Sequence, residues 1–286
     1  MAFRRIGIAV KPKKNETGPL VRELRTWLTD RGYEVLLDPD AADACRCGPG
    51  ASRADVVAAA DLMIVLGGDG TMLAIARLVG PREVPILGVN LGGLGFLTEV
   101  TVPGLFDTLE RVLDEQYSIS RRIMLQAEVR RGDQCLGAYH ALNDVVFTKT
   151  APSRIVELEM YVNGEYVTQY RADGLIVATP TGSTAYCLSA GGPILYPTLP
   201  ALVVIPICPH TLTNRPLVLA DSARIEVIPQ SATDGIHLTV DGQVDIPLHA
   251  QDRIVVQRSE HGIGLVKSAT LNYFELLRTK FRWGER

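Results

Sequence analysis

No run of apolar residues in this chain approaches the about 18 needed for a membrane helix, so a helical span is excluded and no membrane partner is expected. Neither sign of charge dominates. Lys and Arg number 29 against 32 Asp and Glu, a formal net charge of −3. That balance argues against a broad nucleic-acid surface, so any anion site must be local. Cysteines are few and scattered, at 45, 47, 135, 187 and 208. Cys45-Arg46-Cys47 has no second ligand pair near it, which argues against a zinc site. Thiols left free point to a reducing, cytoplasmic setting. There is no internal repeat and no low-complexity tract. The start, MAFRRIGIAVKPKK, has only a short apolar run and no small-residue cleavage site, so it reads as a first strand rather than a signal peptide.

What is present is ordinary globular composition, 47% hydrophobic and 21% charged over 286 residues, enough for about two domains. The chain is organised around DLMIVLGGDGT, residues 61–71. Residues 62–66 read as a buried strand, and a helical pattern follows over 71–79. Between them stand Gly67, Gly68, Asp69 and Gly70. A strand, a tight glycine turn and a helix start form a phosphate cradle, because glycines bend sharply and let N–H groups approach a phosphate. Asp69 would be repelled by a bare phosphate. It therefore caps the helix, holds a cation that the phosphate brings, or accepts a proton from a nucleophile.

Upstream, residues 4–10 and 33–37 read as strands and 17–31 as a helix closed by Gly32. Residues 38–54, rich in Asp, Ala, Gly and Pro, read as an exposed loop. Residues 84–89 form another strand. Strands alternating with helices imply a parallel sheet covered on both faces, a Rossmann-like α/β domain. The glycines of GVNLGGLGFL, residues 88–97, lack the spacing of a dinucleotide fingerprint and suit either a ligand-facing loop or a structural turn. A helix is expected over 103–115. From residue 121 the texture changes to short alternating strands over 124–130, 139–148, 155–162, 165–170, 174–179, 202–207, 223–228, 236–240 and 253–257. Asn163-Gly164 marks a hairpin. This is an all-β, sandwich-like domain. Residues 272–281 return to helical spacing.

Three polar stretches break the β pattern. Asn143 and Asp144 are poor strand formers inside an apolar run, and an amide beside a carboxylate can read a ribose diol. TPTGSTAYCLSAGGP, residues 179–193, is rich in small hydroxyls that suit a ligand with many oxygens, and Tyr186 is a ring able to stack on a flat heterocycle. VDGQ, residues 240–243, reads as a β-turn.

GGDGT after an apolar strand resembles the signature of a kinase superfamily that includes NAD kinases, diacylglycerol and sphingosine kinases, and phosphofructokinases. The whole series is more specific. GGDGT, LNDVV, DGLIVATPTGSTAYCLSAGGP, PHTLTNRPLVL and VDGQ, in this order, closely resemble bacterial NAD kinases over nearly the full chain. The resemblance implies an α/β domain of residues 1–119 carrying GGDG, a β-rich NAD-binding domain of 120–268, and a segment 269–286 packing back on the first. It implies transfer of a phosphoryl group from ATP, or inorganic polyphosphate in some members, to the 2′-hydroxyl of the adenosine ribose of NAD. Asp69 would be the base. Gly67, Gly68 and Gly70 would hold phosphate. Asp69, Gly70, Phe96, Asn143, Asp144, Arg154, Arg171, Asp173, Thr184, Ala185, Tyr186, Cys187, Leu188, Ser189 and Gln243 would contact NAD. A divalent cation, Mg²⁺, would accompany ATP, with no metal-holding residue assigned. A homodimer or homotetramer is expected.

Overall fold

The computed structural model describes residues 3–11, 17–93, 95–149, 155–230, 235–267 and 272–284. The chain divides into two compact units, one of residues 1–121 with 263–286 and one of residues 122–262.

In the first unit β1 (Arg5–Val10), α1 (Gly18–Asp30) and β2 (Glu34–Leu37) follow the expected pattern. RIGIAV is buried almost throughout because helices cover both faces of a parallel strand. Residues 38–54 are not the expected loop. They hold α2 (Pro39–Cys45) and the start of α3 (Arg53–Ala59). Asp38 accepts the N–H of Ala41 at 2.7 Å and Pro39 opens the first turn of α2, while the N–H of Asp55 donates to Ser52 at 3.1 Å. Local capping offsets a composition that reads as loop. Cys45 and Cys47 are joined by a disulfide, against the expectation of free thiols, which removes part of the ground for a reducing compartment.

Next come β3 (Leu62–Leu66), α4 (Asp69–Ala76), β4 (Ile86–Asn90), β5 (Val100–Thr101), α5 (Leu105–Leu113) and β6 (Ile119–Arg122). α4 begins two residues earlier than its apolar pattern, so Asp69 and Gly70 form its first turn. Parallel pairing places β1 between β2 and β3. The chain leaves β1 for one neighbour and returns on the other side. This makes a topological switch at the carboxyl ends of β1 and β3, where open α/β sheets bind ligands. Leu24 and Leu28 of α1 pack in one core with Ile6, Ile8, Ile64 and Leu66 of the sheet and Leu105 of α5.

The second unit contains β7 (Leu125–Arg131), β8 (Gln134–Ala141), β9 (Asp144–Lys149), β10 (Val156–Val162), β11 (Glu165–Ala172), β12 (Gly174–Ala178) and α6 (Tyr186–Ser189). It continues with β13 (Ala201–Ile207), β14 (Leu217–Ala220), β15 (Ile225–Pro229), β16 (Ile236–Val240), β17 (Val244–Leu248) and β18 (Arg253–Arg258). One sheet runs β11-β10-β15-β18-β7-β8 and the other β14-β13-β12-β9-β16-β17. They share one apolar core, the sandwich that the alternating strands imply. Phe147 is fully buried at its centre, paired across its own sheet with Leu175 and Leu238. Burying that ring stabilises the fold by roughly 1.5–3 kcal/mol.

The run 139–148, expected as one strand, is split. β8 and β9 belong to different sheets, and the chain passes between them at Leu142-Asn143. The chain then rejoins the first unit through β19 (Ile263–Val266), which pairs parallel with β4, and α7 (Tyr273–Phe281). Asn272 and Glu275 form a capping box at the start of α7. Neither β19 nor the short β14 and β17 stood out in the sequence pattern.

Candidate functional site

In the first unit, the turn after β3 is built by its glycines. The N–H of Gly67 donates to the Val89 carbonyl at 2.9 Å. A Cβ on Gly67 would lie 2.5 Å from Thr71 Oγ1, so a side chain there would open the turn. Asp69 does not cap its own helix. Its Oδ2 accepts the N–H of Phe96 and its Oδ1 that of Leu97, each at 3.0 Å. The loop after β4 is shaped by Asn90, whose Nδ2 donates to the Gly93 carbonyl at 2.6 Å and to Thr98 Oγ1 at 2.9 Å. A Cβ on Gly95 would stand 2.3 Å from Asp69 Oδ1. The two glycine stretches are therefore one structure, closed around a carboxylate held in a fixed orientation at the carboxyl edge of the sheet. The Phe96 ring packs on Phe281 of α7 with centroids 5.8 Å apart.

In the second unit a cavity of about 310 Å³ is lined by Asn143, Asp144, Ala185, Tyr186, Asp241 and Gly242, with Val146, Thr148 and Thr239 along its strand wall. Asp144 is only 4% exposed. Burial, and then the charge of nearby Asp241, push its carboxyl from an ordinary 3.8 up to about 7. Tyr186 is 44% exposed, so its ring face is open to a ligand.

Other expected contacts lie elsewhere. Cys187 is buried in an apolar cluster with Val146, Ile176 and Ala178. Burial, then the charge of Asp144, push its thiol up to about 11. Much of the hydroxyl run is internally bonded. Thr179 Oγ1 donates to the Leu142 carbonyl at 2.5 Å, Ser183 to Pro180 at 2.6 Å and Thr184 to Thr181 at 3.2 Å. These bonds brace the loop, Thr179 against the chain just before β9 and the other two within the loop itself. Arg171 forms an exposed ion pair with Glu157 at 3.1 Å, and Asp173 pairs with Lys149. Leu188, Ser189 and Gln243 are outside the lining. Arg154 lies outside the described residues. Among the described residues no group of three or more His, Cys, Asp or Glu side chains gathers to hold a metal ion. Sequence reasoning missed Asp241, which it left inside a turn. The sign was a second acidic residue beside a glycine in a strand-flanked turn.

Two family descriptions match the chain, the ATP-NAD kinase N-terminal domain over residues 50–117 and the ATP-NAD kinase C-terminal domain over residues 142–268. An NAD kinase from Geotalea daltonii is 48% identical over 284 residues, 99% of this chain and 100% of that protein. The chain belongs to the NAD kinase family. An NAD kinase from Geobacter metallireducens is 49% identical over 285 residues, with 99% and 100% covered. Solved structures of this family superpose well. Yeast NADH kinase complexed with NADH gives a TM-score of 0.91 at 29% identity, covering 100% of this chain and 89% of that one. An NAD kinase from Archaeoglobus fulgidus in complex with ATP gives 0.77 at 26% identity, covering 97% and 98%. As in other NAD kinases, an α/β unit and an antiparallel β-sandwich share one chain.

Proposed function

We propose that this chain transfers the γ-phosphoryl group of ATP to the 2′-hydroxyl of the adenosine ribose of NAD, giving NADP and ADP. The O2′–P bond forms as the bond from phosphorus to the ADP oxygen breaks, and the hydroxyl proton passes to Asp69. The observation that carries this reading is the Asp69 carboxylate in the glycine turn, oriented by two N–H donors. Each of its oxygens accepts one of these bonds and keeps a lone pair for a proton. A carboxylate is a weak base, but phosphoryl transfer through a loose transition state asks little of it beyond position. In the second unit Asn143 and Asp144 take the ribose diol and Tyr186 stacks on a heterocycle. Gly67, Gly68 and Gly70 line the phosphates.

A divalent cation, Mg²⁺, neutralises nucleotide phosphates when bound. The donor set fits a cation held mainly by those phosphates, since the protein offers no cage of its own among the described residues. Among the described residues no helix is long and apolar enough to cross a membrane. We place the enzyme in the cytoplasm. We expect self-association into a homodimer or homotetramer. Edge strands β11 and β14 expose Tyr166, Val167 and Val218, which suits pairing with another copy.

Incubating the protein with ATP, Mg²⁺ and NAD should yield NADP, and diacylglycerol in place of NAD should yield no phosphorylated product. Absence of NADP would overturn this reading.

A further inference from the structure

The turn between β16 and β17 has two residues in the left-handed region, Asp241 at φ +50° and Gly242 at φ +64°. Asp tolerates that conformation better than most side chains. Its carboxylate is buried and accepts three consecutive main-chain N–H groups. Oδ2 takes that of Leu142 at 3.0 Å, while Oδ1 takes those of Asn143 at 2.8 Å and Asp144 at 3.2 Å. The Asp241 N–H donates in turn to the Asp144 carbonyl at 3.0 Å.

These bonds fall where the chain leaves one sheet for the other, so a strand ladder does not fix the backbone there. The carbonyls of the same crossing are held from the opposite side, Leu142 by Thr179 Oγ1 and Asn143 by the Thr179 N–H at 2.9 Å. A Cβ on Gly182 would come 2.1 Å from the Asn143 carbonyl oxygen, so the 179–193 loop closes tightly on this point. Every main-chain polar group of Leu142 and Asn143 is thereby assigned. The crossing leaves the Asp144 carboxylate almost wholly buried at the cavity wall, without a hydrogen-bond partner among the described residues. A buried polar group in that condition is suited to a ligand.

We propose that Asp241 is the positioning residue of this cavity: by gathering the N–H groups of Leu142, Asn143 and Asp144 it sets how the Asn143 and Asp144 side chains meet the dinucleotide. The inference rests on the reading that those two residues contact NAD. It gives Asp241 a second effect. Its charge faces Asp144, as does the Cys187 thiol from α6, and Tyr186 borders the same space. Removing the Asp241 charge eases ionisation of Asp144.

The test is steady-state kinetics of the full chain with Asp241→Asn, Asp241→Glu and, as a check on the reading beneath, Asn143→Ala. Asn keeps the size of Asp and tolerates the left-handed backbone, but it offers one acceptor oxygen and no charge. The KM for NAD should rise roughly tenfold or more, while kcat and the KM for ATP change less than about threefold. The inflection near neutral pH in kcat/KM for NAD should move to lower pH. Asp241→Glu keeps the charge but displaces the acceptors, so the KM for NAD should rise with the inflection in place. Parallel losses in kcat and both KM values with no movement of the inflection mean a merely structural role and overturn the proposal. An unchanged KM for NAD in both Asp241 variants also overturns it. If Asn143→Ala leaves the KM for NAD unaltered, the fault lies with the diol-reading role itself.

Discussion

Replacing Asp144 by Asn should remove the pH dependence that this one carboxyl imposes on stability. In the folded chain burial, and then Asp241, raise it from 3.8 to about 7. Between those two pH values the unfolded chain has lost the proton and the folded chain keeps it. Stability therefore falls as pH rises through this window and levels off above the folded value. At about 1.4 kcal/mol per pH unit, the wild type loses roughly 3 kcal/mol from this group between pH 5 and pH 8. The substituted Asn has nearly the same shape as the carboxyl it replaces, leaves a buried amide unpaired at every pH, and has no proton to lose. Urea unfolding of both ligand-free proteins at pH 5 and pH 8 isolates the effect, because other titrating groups cancel in the difference. The variant should gain about 3 kcal/mol on the wild type over that interval. A difference that is the same at both pH values would refute a buried, protonated Asp144.

Three further outcomes are expected. Asp69→Asn should still bind NAD while kcat falls by about 10²–10⁴, without rescue by excess Mg²⁺ or Mn²⁺, and Gly95→Ala should lower kcat too because its Cβ displaces the Asp69 carboxylate; metal rescue in a titration would make Asp69 a metal ligand instead. Tyr186→Ala should weaken NAD binding more than Tyr186→Phe in calorimetry, because the ring face supplies the contact, and equal losses would assign the contact to the hydroxyl.

The parts of the site that were legible in the sequence are those written in consecutive residues. An apolar strand, a glycine turn and a helix start are local events, so residues 61–71 could be read directly. The partners of Asp69 are 27 and 28 residues downstream, and the N–H groups held by Asp241 are 97 to 99 residues upstream. No local pattern encodes either. Asp241 was legible as a turn residue, and the turn is there, but its carboxylate acts on the neighbouring strand of its sheet, which is remote in sequence. The split at Leu142-Asn143 was hidden because apolar residues flank it on both sides, and only competition for the backbone N–H groups reveals that the ladder stops. In residues 38–54 the helix-start signals of Asp38-Pro39 and Ser52 were present, and the surrounding Ala, Gly and Asp composition obscured them.

The position of β19 bears on how the chain is made. It lies between β4 and β6 in the first sheet, yet it is translated after the entire sandwich. All the strands of the sandwich precede residue 263 in the chain, so the sandwich needs nothing from β19 to close. The α/β sheet, begun first, must wait for residues 263–266 before β4 is paired at Ile86 on the side away from β3, where β5 covers only Val89 and Asn90. The unit that starts the protein is thus the last to be completed. A chain ending at residue 262 would carry every strand of the sandwich tethered to an open sheet, with the glycine turn and Asp69 on its unfinished half.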